Sequence, residues 1–210
     1  MTSDVGSKFT GPYASKIDWR VIAFWAAAAA IVIQAAASAA TFADGRVWDW
    51  GHFFYAAEAL GHGANPFEAG ERGYIYPVTF AWALQPLAAL GFEPSAVIFV
   101  CAMGISIAVA LWLIRNALVQ AGTPPEAAAL AAAIGALLVG DKFVSTLKNA
   151  QTDGLILLTC IAALMLIRRR PIVAGLLIAV AAALKYHALI FVILFLIRRR
   201  WRAAAAALIG

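Results

Sequence analysis

Three polar segments, separated by apolar runs, hold the side chains of this chain that could do chemistry. They are "VWDWGHFFYAAEALGHGANPFEAGERGYIYP" at residues 47–77, "DKFVSTLKNAQTDG" at residues 141–154, and the tripeptide Lys185-Tyr186-His187. A carboxylate can deprotonate an attacking hydroxyl group, and a lysine can hold a phosphate as a point charge. Aromatic rings can stack on a sugar. If the three segments meet, they suit an amphiphilic substrate that carries a phosphate and a sugar.

The candidate side chains are Asp44, Asp49, His52, Glu58, Tyr74, Tyr76, Asp141, Lys142, Lys148, Asn149, Gln151, Asp153 and Lys185. Several have a structural alternative. Asp49 could cap the short helix predicted after it, and Gln151 and Asp153 could cap the helix predicted from Gly154. Tyr74 and Tyr76 also fit an interfacial aromatic belt, and Glu58 could face solvent. We expect no metal site, because two isolated histidines do not make one; a divalent-metal requirement stays open.

Lys185 stands between two apolar runs. An ionisable group in that position is by default a functional hypothesis, and its structural alternative is a lysine that snorkels at a helix end.

The composition predicts which elements position these residues. The chain is 64% hydrophobic and 13% charged, with a mean hydropathy of +0.85, whereas soluble domains carry about 25% charged residues. We therefore predict an all-α, polytopic membrane helix bundle whose large first extracytoplasmic loop contains short interfacial helices. The predicted division is a cytoplasmic segment at 1–18 and a transmembrane domain at 19–210 that is incomplete at its C-terminus. The net charge of +5 is concentrated in arginine triplets beside apolar runs, which indicates topology and not nucleic-acid binding.

The apolar segments are 19–42, 75–90, 94–114, 125–140, 153–167, 171–184, 186–197 and 203 onward. If 75–90 lies at the interface without crossing, 11 of the 16 lysines and arginines face the cytoplasm, including both arginine triplets. If it crosses, both triplets face out, against the positive-inside rule. We therefore predict that 75–90 does not cross, which places all three polar segments on the outer side.

The 27 residues between the two triplets are too few for two full spans, which need about 40. One long helix would place Lys185 near the middle of the bilayer, at a cost of about 2.5–3.5 kcal/mol on insertion scales. We therefore predict two short helices that bend at Lys185-Tyr186-His187 and keep both triplets on the cytoplasmic side.

The motifs resemble those of glycosyltransferase family 87, a member of the GT-C superfamily. "DWGHFFYAAEALGHGANPFE" followed by "YIYP" resembles the first outer loop of that family, "LKNAQTDGLILL" resembles its Gly-Gln-x-Asn loop, and "LKYHALIFVILFLIRRRW" resembles its Lys-aromatic-Pro bend and basic end. The likeness runs from Asp49 to Trp201. The departures are Ala150 in place of a glycine, Asp153 in place of an asparagine and His187 in place of a proline.

The resemblance implies an integral-membrane enzyme that moves a sugar, often mannose, from a polyprenyl-phosphate donor to an extracytoplasmic glycan or lipid acceptor. It assigns Asp49 as general base, Lys185 to the lipid phosphate and Gln151 to the substrate pocket; we add Tyr74, Tyr76, Asp153 and Glu58 as candidate substrate contacts. No cofactor is expected, because the donor phosphate is the leaving group, and the expected partners are donor, acceptor and membrane lipids. The expected location is the cytoplasmic (inner) membrane, with the site facing out.

Two other classes remain as alternatives. A secondary transporter or lipid-linked-sugar carrier would also place ionisable groups at broken helices, but transporters often show repeats, and none is visible here. A non-catalytic scaffold of an envelope-building complex is the third reading.

Overall fold

The computed structural model describes residues 18–40, 48–70 and 73–210, and these residues form helices and turns without a strand. The helices are α1 (Trp19–Ala40), α2 (Trp48–Gly61), α3 (Val78–Ala88), α4 (Phe92–Gln120), α5 (Pro125–Leu138), α6 (Gly140–Lys148), α7 (Asp153–Leu166), α8 (Pro171–Leu184), α9 (Ile190–Ile197) and α10 (Trp201–Ile209). Short 3-10 turns lie at Pro66–Glu68 and Tyr186–Leu189. The predicted all-α class is confirmed. The predicted cytoplasmic segment, apart from Asp18, and Asp44 lie outside the described residues.

Two described helices, α1 and α4, are long and apolar enough to cross a membrane. They correspond to the two longest apolar segments of the sequence that end before the C-terminus, 19–42 and 94–114. A third span is possible if α5 and α6 are taken together, although they meet at an angle of 59°. Helix α3 has 11 residues and so rises only about 16 Å, against about 30 Å for the hydrocarbon core. Helix α3 is therefore too short to span the core by itself, and that residues 75–90 do not cross stays a prediction.

Helix α4 is the centre of the bundle, with α1, α5 and α7 packed along it. Glycines allow this close approach. A Cβ on Gly104 would lie 2.7 Å from the Ala35 Cβ of α1, and a Cβ on Gly154 would lie 2.6 Å from the Met103 carbonyl oxygen. The first turn of α7 therefore rests directly on the α4 backbone, which fixes the height at which the second polar segment enters the bundle.

The chain bends at Lys185, as predicted. Helix α8 ends at Leu184, Lys185 is extended with φ −147° and ψ 115°, and a 3-10 turn leads into α9. Helix α9 then ends in a Schellman turn, in which the Arg200 amide donates to the Phe195 carbonyl and Arg199 takes a φ of 54°.

Helix α10 runs parallel to α8. A Cβ on Gly175 would lie 2.3 Å from the Ala203 carbonyl oxygen near the start of α10, whereas a Cβ on Gly210 would lie 2.8 Å from Leu176 Cδ2 and 3.4 Å from Ala179 Cβ. The order of contacts is thus the same along both helices. Because the triplets 168–170 and 198–200 immediately precede α8 and α10, both lie at the same end of this helix pair, which confirms the predicted bend.

Replacing Gly175 by alanine should destabilise the α8–α10 contact. The added methyl group would meet backbone as well as side-chain atoms of α10, and overpacking of this kind costs about 1–3 kcal/mol. Thermal unfolding of the detergent-solubilised protein measures the loss.

Gly135→Ala is the matched control. Gly135 lies within α5 and a Cβ there would have nothing within 4 Å, so the helix propensity of alanine should stabilise the protein by up to about 1 kcal/mol. An unfolding temperature for Gly175→Ala at or above that of the unmodified protein would contradict the α8–α10 packing.

Candidate functional site

The carboxylate of Asp153 lies between two lysines from distant parts of the chain. Its Oδ1 accepts a hydrogen bond from Lys185 Nζ, and its Oδ2 lies 2.9 Å from Lys142 Nζ. Thr146 Oγ1 also donates to Oδ2 at 3.3 Å. Asp153 is the first residue of α7, where the positive end of the helix dipole favours a negative charge. This one side chain therefore joins α6, α7 and the bend after α8.

Gln151 is held by the turn that joins α6 to α7. The backbone amide of Gln151 donates to the Thr146 carbonyl at 2.9 Å, and the backbone amide of Ala150 donates to the Leu147 carbonyl at 3.2 Å. These are the two hydrogen bonds of a Schellman turn. Ala150 has a φ of 50°, in the left-handed region that favours glycine. The turn directs the Gln151 side chain to Lys142, whose Nζ donates to Gln151 Oε1 over 3.3 Å.

Asp49 reaches the same cluster from α2. It lies in the first turn of that helix, inside the helix instead of before it, so the interpretation of Asp49 as a cap is replaced by a favourable interaction with the helix dipole. The next residue, Trp50, is buried and packs on Phe99 of α4, with ring centroids 4.8 Å apart. Phe53, one turn further on, packs edge-on against Phe80 at 5.3 Å. These aromatic contacts fix α2, and thereby Asp49, against α3 and α4.

The groups around Asp49 shift the pKa of its carboxyl in both directions. Burial raises the pKa of its carboxyl above the usual aspartate value, and the negative charge of Asp153 acts in the same direction. Lys185, His52 and a hydrogen bond from Gln151 oppose the rise. Burial also raises the pKa of the Tyr76 hydroxyl, with further contributions from the charges of Asp49 and Asp153. These interactions join Asp49 and Tyr76 to the cluster around Asp153.

The structure thus brings together five of the seven predicted site residues: Asp49, Tyr76, Gln151, Asp153 and Lys185. Tyr76 is half-buried and packs edge-on against Phe53, with ring centroids 4.9 Å apart. Their catalytic and substrate-binding roles stay predictions.

Tyr74 and Glu58 are placed differently. Tyr74 is 3% exposed and its hydroxyl donates to the Pro77 carbonyl at 2.9 Å, so it braces the turn before α3. Glu58 is exposed and stands nine residues after Asp49 on α2, which turns it about 180° away at 100° per residue. The ring of Tyr74 lies 5.7 Å from the ring of Tyr76, at the edge of the cluster, whereas Glu58 is turned away from it. Substrate contact by either side chain stays a prediction.

Lys142, a sequence candidate without an assigned role, and Thr146, which the sequence did not single out, also belong to the cluster. Residues 141–148, expected as part of an outer polar segment, lie in helix α6. Positions i and i+4 share one face of a helix, so Lys142 and Thr146 both reach Asp153. Recognising residues 140–148 as a helix would have revealed this pair.

The cluster offers one half-buried carboxylate for proton transfer, two ammonium groups for an anion and a tyrosine ring beside them. Within residues 18–40, 48–70 and 73–210, no three His, Cys, Asp or Glu side chains are grouped so that they could hold a metal ion.

Comparison with known proteins identifies a family. The model of glycosyltransferase family 87 matches residues 74–210, which is more than half of the chain. The match includes Tyr76, Gln151, Asp153 and Lys185, and α2 with Asp49 precedes it. Searches of curated proteins and of solved structures returned no match.

Replacing Ala150 by glycine should stabilise the protein. The left-handed conformation costs an alanine roughly 1–2 kcal/mol, and the greater chain entropy of glycine in the unfolded state offsets about 0.5–1 kcal/mol of the gain. A net increase of about 0.5–1 kcal/mol in the free energy of unfolding is expected, measured by thermal unfolding in detergent.

Ala121→Gly is the control for that change. Ala121 directly follows the last residue of α4 and has a φ of −82°, so glycine brings only its entropic cost there. It should leave stability unchanged or lower it slightly. Equal effects of the two substitutions would argue against the left-handed turn at Ala150.

Proposed function

The chain belongs to glycosyltransferase family 87, and we propose that it transfers mannose from a polyprenyl-phosphate donor to an extracytoplasmic glycan or lipid acceptor. Family membership establishes the glycosyltransferase class, and α1 and α4 are helices long enough to cross a membrane. The family also favours this reading over the secondary transporter or lipid-linked-sugar carrier. The identities of the sugar, the donor and the acceptor belong to the proposal and not to the family assignment.

The observation that carries the proposal is the convergence of Asp49, Gln151, Asp153 and Lys185 from three separated segments. A half-buried acid, two lysines and a half-buried tyrosine suit a donor in which a sugar is joined to a phosphate. The apolar bundle around them suits a substrate with a lipid chain.

In the proposed reaction, a hydroxyl oxygen of the acceptor attacks the anomeric carbon of the sugar. The bond between that carbon and the donor phosphate oxygen breaks, and polyprenyl phosphate leaves with the electron pair. The Asp49 carboxylate takes the proton of the attacking hydroxyl. Lysine neutralises negative charge as it develops on the departing phosphate, which favours the transition state over the bound donor. The donor brings its own leaving group, so no nucleotide enters this scheme.

The proposed location is the cytoplasmic membrane, with the site on the outer side. The support is the position of both arginine triplets at one end of the α8–α10 pair, together with the positive-inside rule. The bend at Lys185 then lies toward the opposite face, beside Asp49 and Asp153.

Asp49→Asn should lower kcat by about 100- to 10,000-fold, the usual contribution of general acid–base catalysis. The pH profile gives a second test. Because burial raises the Asp49 pKa, the carboxylate needed as base is lost at a higher pH than for a free aspartate as the solution is acidified. The rate of the unmodified enzyme should fall on the acid side with an apparent pKa above the aspartate value of 3.8.

The assay measures transfer of radiolabelled mannose from polyprenyl-phosphate-mannose in membranes. Glu93→Gln makes the same carboxylate-to-amide change at an exposed position in the first turn of α4 and should keep full activity. Full activity of Asp49→Asn in correctly inserted protein would remove Asp49 as base.

Single cysteines should report the predicted sidedness in a background with Cys101 and Cys160 replaced by alanine. Cysteines at the exposed positions Asn65 and Tyr186 should react with a membrane-impermeant maleimide in intact spheroplasts. A cysteine at Arg169 should react only after the membrane is opened. Labelling of positions 65 and 186 from opposite sides would contradict a shared outer site.

A further inference from the structure

Lys142 is an exposed member of the polar cluster. Its side chain is 60% exposed, compared with 25% for Lys185 and 20% for Asp153. Its ammonium group lies 2.9 Å from Asp153 Oδ2 and 3.3 Å from Gln151 Oε1. An ammonium group has three N–H donors, so these contacts leave one donor for a ligand. Lys142 is thus charged, held in place and open to solvent.

The two lysines are presented as a pair by a single acid. Asp153 gives one oxygen to Lys185 and the other to Lys142, so the ammonium groups lie on the two sides of one carboxylate. The three groups together carry a net charge of +1. An ionised Asp49 beside them, as the proposed reaction requires, makes the whole cluster neutral. A phosphate would therefore be held by direct contact with the two ammonium groups.

We propose that Lys142 and Lys185 form a two-lysine anion site, with Asp153 as its positioning residue, and that this site binds the phosphate of the lipid substrate. The proposal rests on the proposed function and extends it to Lys142. An ion pair as exposed as Lys142–Asp153 contributes little net stability, so Lys142 can exchange Asp153 for a phosphate oxygen at little cost. Lys185, more enclosed, stays with Asp153 and contacts a second phosphate oxygen.

The charge of the phosphate changes during the proposed transfer. In the donor it is a diester with one negative charge, whereas the released polyprenyl phosphate is a monoester with a charge of about −1.5 to −2 at pH 7. Two lysines therefore stabilise the leaving group more than the donor, and Lys142 should contribute to kcat as well as to binding.

Binding of farnesyl phosphate, farnesol and inorganic phosphate to the full chain in detergent separates these contributions. The unmodified protein should bind farnesyl phosphate at least tenfold more tightly than farnesol. Lys142→Gln should weaken farnesyl phosphate binding about 10- to 100-fold, the value of a charge-assisted hydrogen bond, and leave farnesol binding unchanged. Lys142→Arg keeps the charge and should stay within about threefold of the unmodified protein.

Lys148→Gln is the matched control, because Lys148 is also an exposed lysine of α6 and lies outside the two ion pairs found among the described residues. It should bind all three ligands like the unmodified protein.

Three results would overturn the two-lysine site. They are unchanged binding of farnesyl phosphate by Lys142→Gln, an equal loss for farnesyl phosphate and farnesol, and inorganic phosphate that binds as tightly as farnesyl phosphate. If Lys142→Gln does not fold, farnesyl phosphate binding by the unmodified protein that resists rising salt would also overturn it.

The outcome is separable from that of the proposed reaction. Lys142-dependent binding without mannose transfer would contradict the proposed function and leave the anion site in place. Mannose transfer at an unchanged rate in Lys142→Gln would contradict the anion site and leave the proposed function in place.

Discussion

The carboxylate of Asp153 and its two lysines tie α6 to the place where α7 begins and α8 ends. Lys142 is 11 residues before it and Lys185 is 32 residues after it. Helices α7 and α8 also pack closely against each other, whereas α6 makes few contacts with α7. Removing Lys185, the more enclosed of the two lysines, would leave on Asp153 a charge that the surroundings solvate poorly. The start of α7, the end of α8 and the polar face of α6 are therefore constrained to meet at one point, and α2 closes on that point with Asp49.

Apolar packing sets the remaining geometry around this ionic contact. The first turn of α7 lies against the α4 backbone because Gly154 has no side chain to keep it away, so Asp153 sits at a fixed height along α4. Trp50 and Phe53 attach α2 to α3 and α4 through aromatic contacts, and this brings Asp49 to the same height. A polar site in a mostly apolar chain thus depends on residues that contribute no charge, and a change at Gly154 or Trp50 acts on the chemistry through position.

The sequence allowed the helical class, the two long spans and the bend at Lys185 to be predicted, because each follows from hydrophobicity, length or the cost of a charge in lipid. It also predicted that side chains from the three polar segments meet at one place, as Asp49, Gln151, Asp153 and Lys185 do. It did not lead to α6, since a nine-residue helix rich in charge has no clear apolar run. Without the helical spacing of α6, nothing in the sequence indicated that Lys142 pairs with Asp153. Glu58 was named because it is an acid in the same segment, and only the helical phase of α2 shows that it points away. The departure from the family pattern at Ala150 acquires a physical meaning only with the backbone angle, which places an alanine where glycine fits best.

The Schellman turn at Arg199 has a consequence for any mapping of this chain by reporter fusions. Hydropathy alone would count the 27 residues between the arginine triplets as one membrane crossing. The side of the membrane assigned to every later residue would then be inverted. Because α9 reverses at Arg199 and α10 runs beside α8, fusions after residue 170 and after residue 200 should give the same signal. A reporter that needs the cytoplasm would therefore be active at both junctions or at neither.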